Sequence, residues 1–435
     1  MTPPPPRDSL ATAAGSLPLE TTPSALDVLL LKGRRRATIA MLGPAFVASI
    51  AYVDPGNFAT NVQGGAEYGY LLLWVVLAAN LVAMLIQYLS AKLGVVTGLN
   101  LPELCRDRYP SWVSWGLWAQ AELIAMSTDV AEFLGAALGL NLLFHVPLLP
   151  AGLITGLIAF GVLELHRHGY RRFEIAITAL LGLILLGFLY ETLAIGPSAS
   201  ASAGGLIPHL AGTQSVYLAV GIIGATVMPH AIYLHSALVQ GRMAVRNDEE
   251  RTRVLRFERI DVIVALGLAG LINLTMLAVA AKLFHAKGHA LVDTIQGAHT
   301  GLAHLAGGTA ALAFAVALLA SGISSSSVGT YAGQIVMGGF VNLQIPLVLR
   351  RAITMIPALV VLAVGVNPTS ALVASQVVLC FGIPFALIPL VRLTSSRNVM
   401  GAHVNRRITI AAAWAAASLI VTLNAFLLVR QLAGI

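Results

Sequence analysis

The apolar positions of the chain fall into long runs that short polar segments separate. Each run holds roughly twenty residues, which is the length a helix needs to cross a bilayer core, and none alternates as barrel strands do. We predict eleven membrane-spanning helices at about 39–66, 69–96, 113–140, 149–166, 174–195, 214–241, 260–283, 309–338, 351–367, 370–393 and 407–430. The predicted fold class is therefore an all-α polytopic membrane protein.

The first 36 residues differ from the rest, being rich in Pro, Ser, Thr and Ala. They contain too little apolar surface to fold, so we predict a disordered cytoplasmic tail over residues 1–36. Residues 37–435 are predicted to form one transmembrane domain.

Composition narrows the class of protein further. Hydrophobic residues make up 57% of the chain and charged residues only 10%, which is too few charges to cover a soluble enzyme of 435 residues. The net charge of +7 comes from Lys and Arg between the apolar runs rather than along one face. That distribution is typical of membrane loops, and we expect no nucleic-acid partner.

The basic residues also predict an orientation. With eleven spans, 23 of the 26 Lys and Arg residues fall on the side of the N-terminus. Basic loops stay in the cytoplasm, so the N-terminus is predicted to be cytoplasmic and the C-terminus external.

Two predicted spans carry helix-breaking residues at their middle. Span 1 contains Asp54-Pro55-Gly56-Asn57 and span 6 contains Met228-Pro229-His230. Proline removes a backbone donor and clashes one turn back, so each span should unwind there; a simple kink is the alternative for span 6. Breaks in spans 1 and 6 favour two five-span inverted repeats, at about 39–195 and 214–393, followed by an extra helix at 407–430.

The two breaks predict the sign of a ligand. In both spans the first half-helix would present its C-terminal carbonyls, with their negative dipole charge, to the middle of the membrane. The Asp54 carboxylate and the Asn57 amide oxygen add to this, which indicates a cation site. Met228 adds a thioether, a ligand that softer transition metals accept, although methionine more often only fills gaps between helices.

Span 3 carries three acidic residues within an apolar helix. At 100° per residue, Glu122 and Asp129 lie about 20° apart and Glu132 about 60° from Asp129, so they share one face. Basic residues expected opposite or below them are His230, His235, Arg242, Arg350 and Arg351. These residues form either a proton pathway or a ladder of structural ion pairs, and His235 could simply pack.

Several motifs resemble those of the Nramp family of proton-coupled divalent-metal transporters, bacterial type, over nearly the whole chain. They are Ser49-Ile-Ala-Tyr-Val-Asp-Pro-Gly-Asn57, Gly224-Ala-Thr-Val-Met-Pro-His230, Tyr233-Leu-His-Ser236, Gln240-Gly-Arg242, Gly329-Thr-Tyr-Ala-Gly-Gln334 and Pro384-Phe-Ala-Leu-Ile-Pro389. The resemblance implies a fold similar to the amino-acid transporter LeuT.

The resemblance also implies a function and a ligand set. The implied function is a symporter that imports Mn²⁺ and Fe²⁺, and also Cd²⁺ and Co²⁺, with protons across the plasma membrane, the inner membrane of a bacterium. Asp54, Asn57, Met228 and the Ala225 carbonyl would bind the metal. The Ala51 carbonyl and Gln376 would join in some conformations. Metal ions and protons are then cargo, and neither a prosthetic group nor an obligate protein partner is expected.

The chain departs from the family pattern at two places. Asn61 stands where many members have aspartate, and Ser321-Gly-Ile-Ser-Ser-Ser-Ser327 replaces a commoner Gly-Gln-Ser-Ser. Either change could alter gating. The alternative functions are a LeuT-like carrier of a small organic solute, such as an amino acid, and an intramembrane enzyme using Asp54 and His230.

Overall fold

The computed structural model describes residues 42–167, 170–242, 245, 247–285, 294–343 and 345–432. The predicted tail, residues 1–36, lies outside the described residues. The described helices are α1 (Pro44–Ser49), α2 (Pro55–Tyr68), α3 (Leu73–Thr97), α4 (Leu101–Arg108), α5 (Ser111–Phe144), α6 (Leu148–Arg167), α7 (Tyr170–Ile195), α8 (Ala199–Gly204), α9 (Gly212–Thr226), α10 (Pro229–Leu238), α11 (Asp248–Ala280), α12 (Ile295–Leu305), α13 (Gly308–Val341), α14 (Leu347–Val364), α15 (Pro368–Thr394), α16 (Arg397–Met400) and α17 (Arg407–Leu432).

Many of these helices are suited to a bilayer. Within the described ranges, eight helical stretches are long and apolar enough to cross a membrane. They are Pro55–Thr97, Ser111–Phe144, Arg171–Ile195, Gly212–Leu238, Asp248–His285, Gly308–Val341, Pro368–Thr394 and Arg407–Arg430. Pro44–Val53 and Leu148–Val162 are shorter apolar helices. An all-helical membrane protein is therefore confirmed, and the count of eleven crossings stays a prediction.

The predicted break in span 1 is present. Helix α1 ends at Ser49, a 3₁₀ turn follows over Ile50–Val53, and Asp54 is extended, with φ −82° and ψ 170°. Helix α2 then begins at Pro55, where the missing N–H of proline costs nothing because the first helical N–H groups have no partner within the helix. The chain thus changes direction at Asp54 without leaving the protein interior.

Span 6 breaks in the same way, so the kink alternative is wrong. Helix α9 ends at Thr226, Val227 and Met228 are not helical, and α10 begins at Pro229. Proline again occupies the first turn of the second half-helix. The C-terminal ends of α1 and α9 and the N-terminal ends of α2 and α10 therefore all lie inside the protein.

The broken helices lie at the centre of the packing. Helix α2 contacts α5, α9, α11 and α15, while α10 contacts α3, α13 and α15. Two glycines allow α15 to come close: a Cβ on Gly56 would collide with the Gln376 side chain, and one on Gly224 would collide with the Gln376 carbonyl oxygen. Gln376 is thereby held against both breaks.

One predicted loop is largely helical. The sequence predicts that residues 242–259 connect spans 6 and 7, but α11 already begins at Asp248. The Asn247 side chain accepts a hydrogen bond from the Glu250 N–H, at 2.9 Å, and the first turn holds Asp248, Glu249 and Glu250. This cap and the acidic first turn stabilise a helix start well before the apolar run begins.

Candidate metal centre and polar track

Asp54 uses one carboxylate oxygen to cap helix α2. Its Oδ1 accepts hydrogen bonds from the Asn57 backbone N–H at 2.8 Å and from Asn57 Nδ2 at 2.7 Å. Its Oδ2 is buried and has no hydrogen-bond partner among the described residues. A buried carboxylate oxygen without a donor is costly, so Oδ2 is available for a cation.

The Asn57 amide connects the two broken helices. Its Nδ2 donates to Asp54 Oδ1 and, at 2.9 Å, to the carbonyl oxygen of Ala225, in the last turn of α9. The Asn57 Oδ1 is buried without a partner in the described structure. The positive end of the amide thus lies between two oxygens that a cation would also bind, and rotating the amide would present Oδ1 instead.

Two further side chains lie beside the breaks. Met228 is fully buried and immediately precedes α10. Gln376 is also fully buried; its Nε2 donates to Ser375 Oγ at 3.1 Å, while its Oε1 has no partner among the described residues. A thioether and an amide oxygen are therefore available next to Asp54.

The carbonyls of the 3₁₀ turn before Asp54 are not equivalent. The Tyr52 carbonyl accepts from Asn273 Nδ2 at 2.7 Å, and the Val53 carbonyl accepts from Ser321 Oγ at 2.6 Å. No described side chain donates to the Ala51 carbonyl. Of the three, the Ala51 carbonyl is thus the one that no side chain holds.

We call Asp54, Asn57, Met228, Gln376 and the Ala51 and Ala225 carbonyls the metal centre. Its donor atoms are oxygens and one sulfur, and all six residues are buried. Nowhere in the described structure do three His, Cys, Asp or Glu side chains come together to hold a metal. A cation here would meet one carboxylate and otherwise neutral ligands, a set that would bind the ion without preventing its release.

A chain of hydrogen bonds on the α1 side of the centre connects the 3₁₀ turn to α3 and α10. The Gln87 side chain donates to the Tyr52 hydroxyl at 2.5 Å, and Gln87 Oε1 lies 2.9 Å from His235 Nδ1. All three residues are buried. His235 is therefore connected to the broken span 1 through Gln87.

Aromatic rings close the centre on the α2 side. The Phe58 ring lies 5.3 Å from Phe188 and 5.7 Å from Phe314, edge to face in both pairs. Next to them, Glu191 is 1% exposed, and neither of its carboxylate oxygens has a hydrogen-bond partner within the described residues. Polar contacts thus lie on the α1 side of the centre and apolar contacts on the α2 side.

What we call the polar track consists of the acidic residues of α5 and the basic residues of two other helices: Glu122, Asp129 and Glu132 on α5, Arg350 and Arg351 on α14, and His230 on α10. Arg350 forms two hydrogen bonds to Glu122, at 3.1 and 2.7 Å. Arg351 NH1 lies 3.6 Å from Asp129 Oδ1, a longer ion pair without a hydrogen bond. The pairing thus weakens from Glu122 towards the metal centre.

Arg351 is fixed mainly by α13 and by an aromatic ring. It donates to the Ser326 carbonyl at 2.9 Å, to Thr330 Oγ1 at 2.5 Å and to Ser326 Oγ, and it stacks 4.7 Å from the Phe133 ring centroid. Neutral groups satisfy most of its donors, so it remains a fixed positive charge within the protein.

Glu132 and His230 are the loosely held members next to the centre. Glu132 lies within electrostatic range of Asp129, Arg351 and Asp54, and its Oε2 has no hydrogen-bond partner among the described residues. His230 Nδ1 is 3.4 Å from Thr128 Oγ1, whereas its Nε2 has no such partner. No hydrogen bond joins Glu132 to His230 in the described structure, so proton exchange between the two stays a prediction.

Arg242 does not take its predicted place. It pairs with Glu174 of α7 at 3.0 Å, and its NH2 lies 3.5 Å from the Leu42 carbonyl oxygen. The chain turns directly after α10, which directs Arg242 towards α7 and the start of α1 rather than towards Glu122. The prediction that Arg242 lies below the acidic residues with Arg350 and Arg351 is therefore wrong for Arg242, whereas Arg350 does pair with Glu122.

Sequence reasoning missed the residues that support the centre. Asn61 donates to Asn273 Oδ1 at 3.0 Å, and Asn273 in turn donates to Tyr52. Ser321, noted only as a departure from the family pattern, bonds directly next to Asp54. The available signal was a polar side chain inside an apolar span, such as Asn61, Gln87 or Asn273, since such groups rarely face lipid.

Comparison with known sequences identifies relatives along nearly the full chain. A family model described as Nramp, natural resistance-associated macrophage protein-like, matches residues 45–430. The divalent metal cation transporter MntH of Deinococcus radiodurans is 53% identical over 399 residues, covering 92% of both chains. MntH of Bacillus subtilis is 52% identical over 395 residues, covering 91% of this chain and 93% of its own.

Solved structures of transporters are similar to this chain in fold. A histidine-to-alanine variant of the Eremococcus coleocola manganese transporter superposes with a TM-score of 0.84 at 33% identity, covering 96% of this chain and 92% of its own. Mhp1, a nucleobase-cation-symport-1 family transporter, reaches a TM-score of 0.56 at 14% identity over 88% and 89% of the two chains, a likeness of fold alone.

Proposed function

The chain belongs to the Nramp family and transports divalent metal ions, and we propose that it imports Mn²⁺ and Fe²⁺ together with protons. Cd²⁺ and Co²⁺ are proposed as further cargo. The observation that carries this proposal is the pair of broken helices at which buried oxygens of Asp54, of Asn57 and of Gln376 from α15 lack donors among the described residues. No covalent chemistry is needed for this activity.

We propose that the metal ion binds Asp54 Oδ2, Asn57 Oδ1, the Ala225 carbonyl and Met228. The Asn57 amide already bridges Asp54 Oδ1 and the Ala225 carbonyl, so a cation bound to that carbonyl and to the partner-free Asp54 Oδ2 would replace the Asn57 N–H at Ala225. The Ala51 carbonyl and Gln376 would join when the half-helices move, because both lie at the breaks with an acceptor that no described side chain holds.

The ligand set argues for a transition metal. Mg²⁺ and Ca²⁺ take oxygen ligands and gain little from sulfur, whereas Mn²⁺ and Fe²⁺ accept a thioether more readily. Met228 is fully buried at the break of span 6, so its sulfur would favour those metals.

Protons are proposed to leave the centre along the polar track. Asp54 accepts the proton, and Glu132, His230 and Asp129 pass it on towards Glu122, Arg350 and Arg351. The support is the decreasing pairing along the track, which leaves partner-free atoms, among the described residues, on His230 and on Glu132, the latter within electrostatic range of Asp54. His235 and Arg242 lie on other contacts, to Gln87 and to Glu174, so we place both outside this route.

The proposed architecture is eleven spans in two inverted repeats of five with one extra helix, within a single domain at 37–435. The N-terminus is proposed to lie in the cytoplasm and the C-terminus outside, in the plasma membrane. An inward-negative potential would then drive import, at about 2.3 kcal/mol per charge per 100 mV. Alternating access would move α1 and the halves α9 and α10 against the remaining helices.

Transport by purified protein in sealed proteoliposomes tests the proposal. Mn²⁺ uptake should rise as the outside is acidified, and excess Ca²⁺ or Mg²⁺ should compete weakly. An organic-solute carrier would show no metal uptake, and an intramembrane enzyme would convert a substrate without accumulating Mn²⁺. Mn²⁺ uptake that ignores pH would contradict the proton coupling.

A further inference from the structure

A basic cavity of about 510 Å³ lies at the end of helices α3, α11 and α17, away from the metal centre. Five basic side chains line it: Lys92, Arg256, Arg259, His403 and Arg406. The described lining contains no aspartate or glutamate. A concave site with this charge is suited to an anion.

The positive charges in the cavity are close together and lack a carboxylate between them. Arg259 and Arg406 both lie near enough to Lys92 to repel its charge. Lys92 Nζ donates to the neutral Asn405 Oδ1 at 2.8 Å, and Arg259 stacks on Tyr88 at 5.0 Å. Because like charges this close raise the energy of the folded protein, a bound anion would stabilise it.

One carboxylate stands near the rim rather than inside. Asp248 lies 3.6 Å from His403 Nε2 and 2.6 Å from Arg251, and its side chain is 65% exposed. Asp248 therefore pairs with His403 and Arg251 in contact with water. The described structure contains no ion pair between Asp248 and Lys92, Arg259 or Arg406.

An apolar surface continues from the cavity towards the membrane. Ile408 lines the cavity and is 77% exposed. Ile260 and Ile263, which follow Arg256 and Arg259 on α11, are 42% and 54% exposed. A membrane protein exposes such side chains to lipid tails, so the cavity places a cation cluster directly above an acyl-chain surface.

We propose that this cavity binds the phosphate of an anionic phospholipid, such as phosphatidylglycerol or cardiolipin. The headgroup lies among Lys92, Arg259 and Arg406, and one acyl chain lies along Ile260, Ile263 and Ile408. The ligand would join α17, the extra helix, to α3 and α11. The proposal is independent of the transported ion, and it requires only that these helix ends lie at a membrane surface.

Native mass spectrometry of the purified full-length protein, titrated with phosphatidylglycerol, tests the site. The Arg259→Gln/Arg406→Gln double variant should bind roughly 25-fold more weakly than wild type, since each basic group near a membrane surface adds about a fivefold factor. The Arg108→Gln/Arg172→Gln double variant removes two exposed charges elsewhere and should bind as wild type does. Equal losses in both variants would show a general surface-charge effect and overturn the proposal.

Three further arms distinguish the ligand and guard against misfolding. Phosphatidylcholine, which has no net charge, should bind wild type weakly. Its affinity should be no higher than that of phosphatidylglycerol for the Gln double variant. Equal binding of both lipids to wild type overturns the proposal. Inorganic phosphate should not displace the lipid; complete displacement at matched concentration would show that a free anion suffices and would overturn the lipid assignment. Arg259→Lys/Arg406→Lys keeps the charge and should retain binding, so a loss there as well would contradict the electrostatic basis.

Discussion

The metal centre is fully buried and the Glu122 end of the polar track is partly buried, and their polar atoms are paired to different degrees. At the Glu122 end, Arg350 satisfies both carboxylate oxygens. At the centre, Asp54 Oδ2, Asn57 Oδ1 and Gln376 Oε1 have no donor among the described residues. The difference teaches how the two regions are expected to act: the paired charges at the Glu122 end hold α5 and α14 together, whereas the unpaired oxygens at the centre are the atoms that the proposed metal ion would bind.

The largest effect on Mn²⁺ uptake is expected from substitutions in the metal centre, where several oxygens have no donor among the described residues. Asp54→Ala removes the only formal charge in the proposed ligand set, so Mn²⁺ uptake should fall roughly 100-fold or more, equivalent to about 2.7 kcal/mol. Asn57→Ala removes a neutral oxygen and should weaken uptake less. Radiolabelled Mn²⁺ uptake into proteoliposomes measures both. Asp107→Ala, which removes an exposed carboxylate, is the control, and near-normal uptake by Asp54→Ala would place the metal elsewhere.

The middle of the track should respond through protons instead of metal. Glu132→Gln and His230→Ala each remove a group that is not among the proposed metal ligands. Each of these groups has one atom without a hydrogen-bond partner among the described residues. We expect proton entry, followed by a pH-sensitive dye inside vesicles, to fall several-fold relative to Mn²⁺ uptake. If both variants keep the proton flux and pH dependence of wild type, the proposed proton route is wrong.

Met228→Ala should change preference more than rate. Replacing the sulfur by water should favour Ca²⁺ and Mg²⁺ relative to Mn²⁺ by about tenfold, which corresponds to about 1.4 kcal/mol, and Cd²⁺ should lose most. Competition of each ion against Mn²⁺ uptake, in wild type and variant, provides the measurement. An unchanged ranking with a slower rate would make Met228 a packing residue.

The smallest effect on transport is expected at the fully paired end. Glu122→Gln leaves Arg350 without its ionic partner, so the melting temperature of the purified protein should drop by several degrees, because a buried charge loses its compensation. Mn²⁺ uptake per folded molecule should stay within about twofold of wild type, less than about 0.5 kcal/mol, because Glu122 lies outside the metal centre at the far end of the polar track. A larger loss of uptake without a loss of stability would show that the proposed proton route depends on Glu122 itself.

The features that could be predicted from the sequence are those that depend on neighbouring residues. Pro55 and Pro229 end and restart their helices by local backbone chemistry, so the positions of both breaks follow from the residues themselves. The shared face of Glu122, Asp129 and Glu132 follows from helix periodicity alone. These predictions needed no knowledge of which helices touch.

Features that depend on which helices meet could not be predicted. Arg242 and Arg350 are equally plausible partners for Glu122 in the sequence, and only the packing of α14 against α5 selects Arg350. The roles of Ser321 and Asn273 at the turn before Asp54 likewise depend on contacts between residues more than 200 positions apart. Helix periodicity states which face a residue occupies, but not what lies opposite.

The hydrogen bonds of Asn57 have a consequence for turnover. A symporter must reset after it releases its cargo, and an uncompensated carboxylate and carbonyl facing each other would resist closing around nothing. By donating to both Asp54 Oδ1 and the Ala225 carbonyl, the Asn57 amide ties the two half-helices together without a cation. The same side chain can thus serve the loaded and the returning carrier, through its oxygen in one direction of the cycle and its nitrogen in the other.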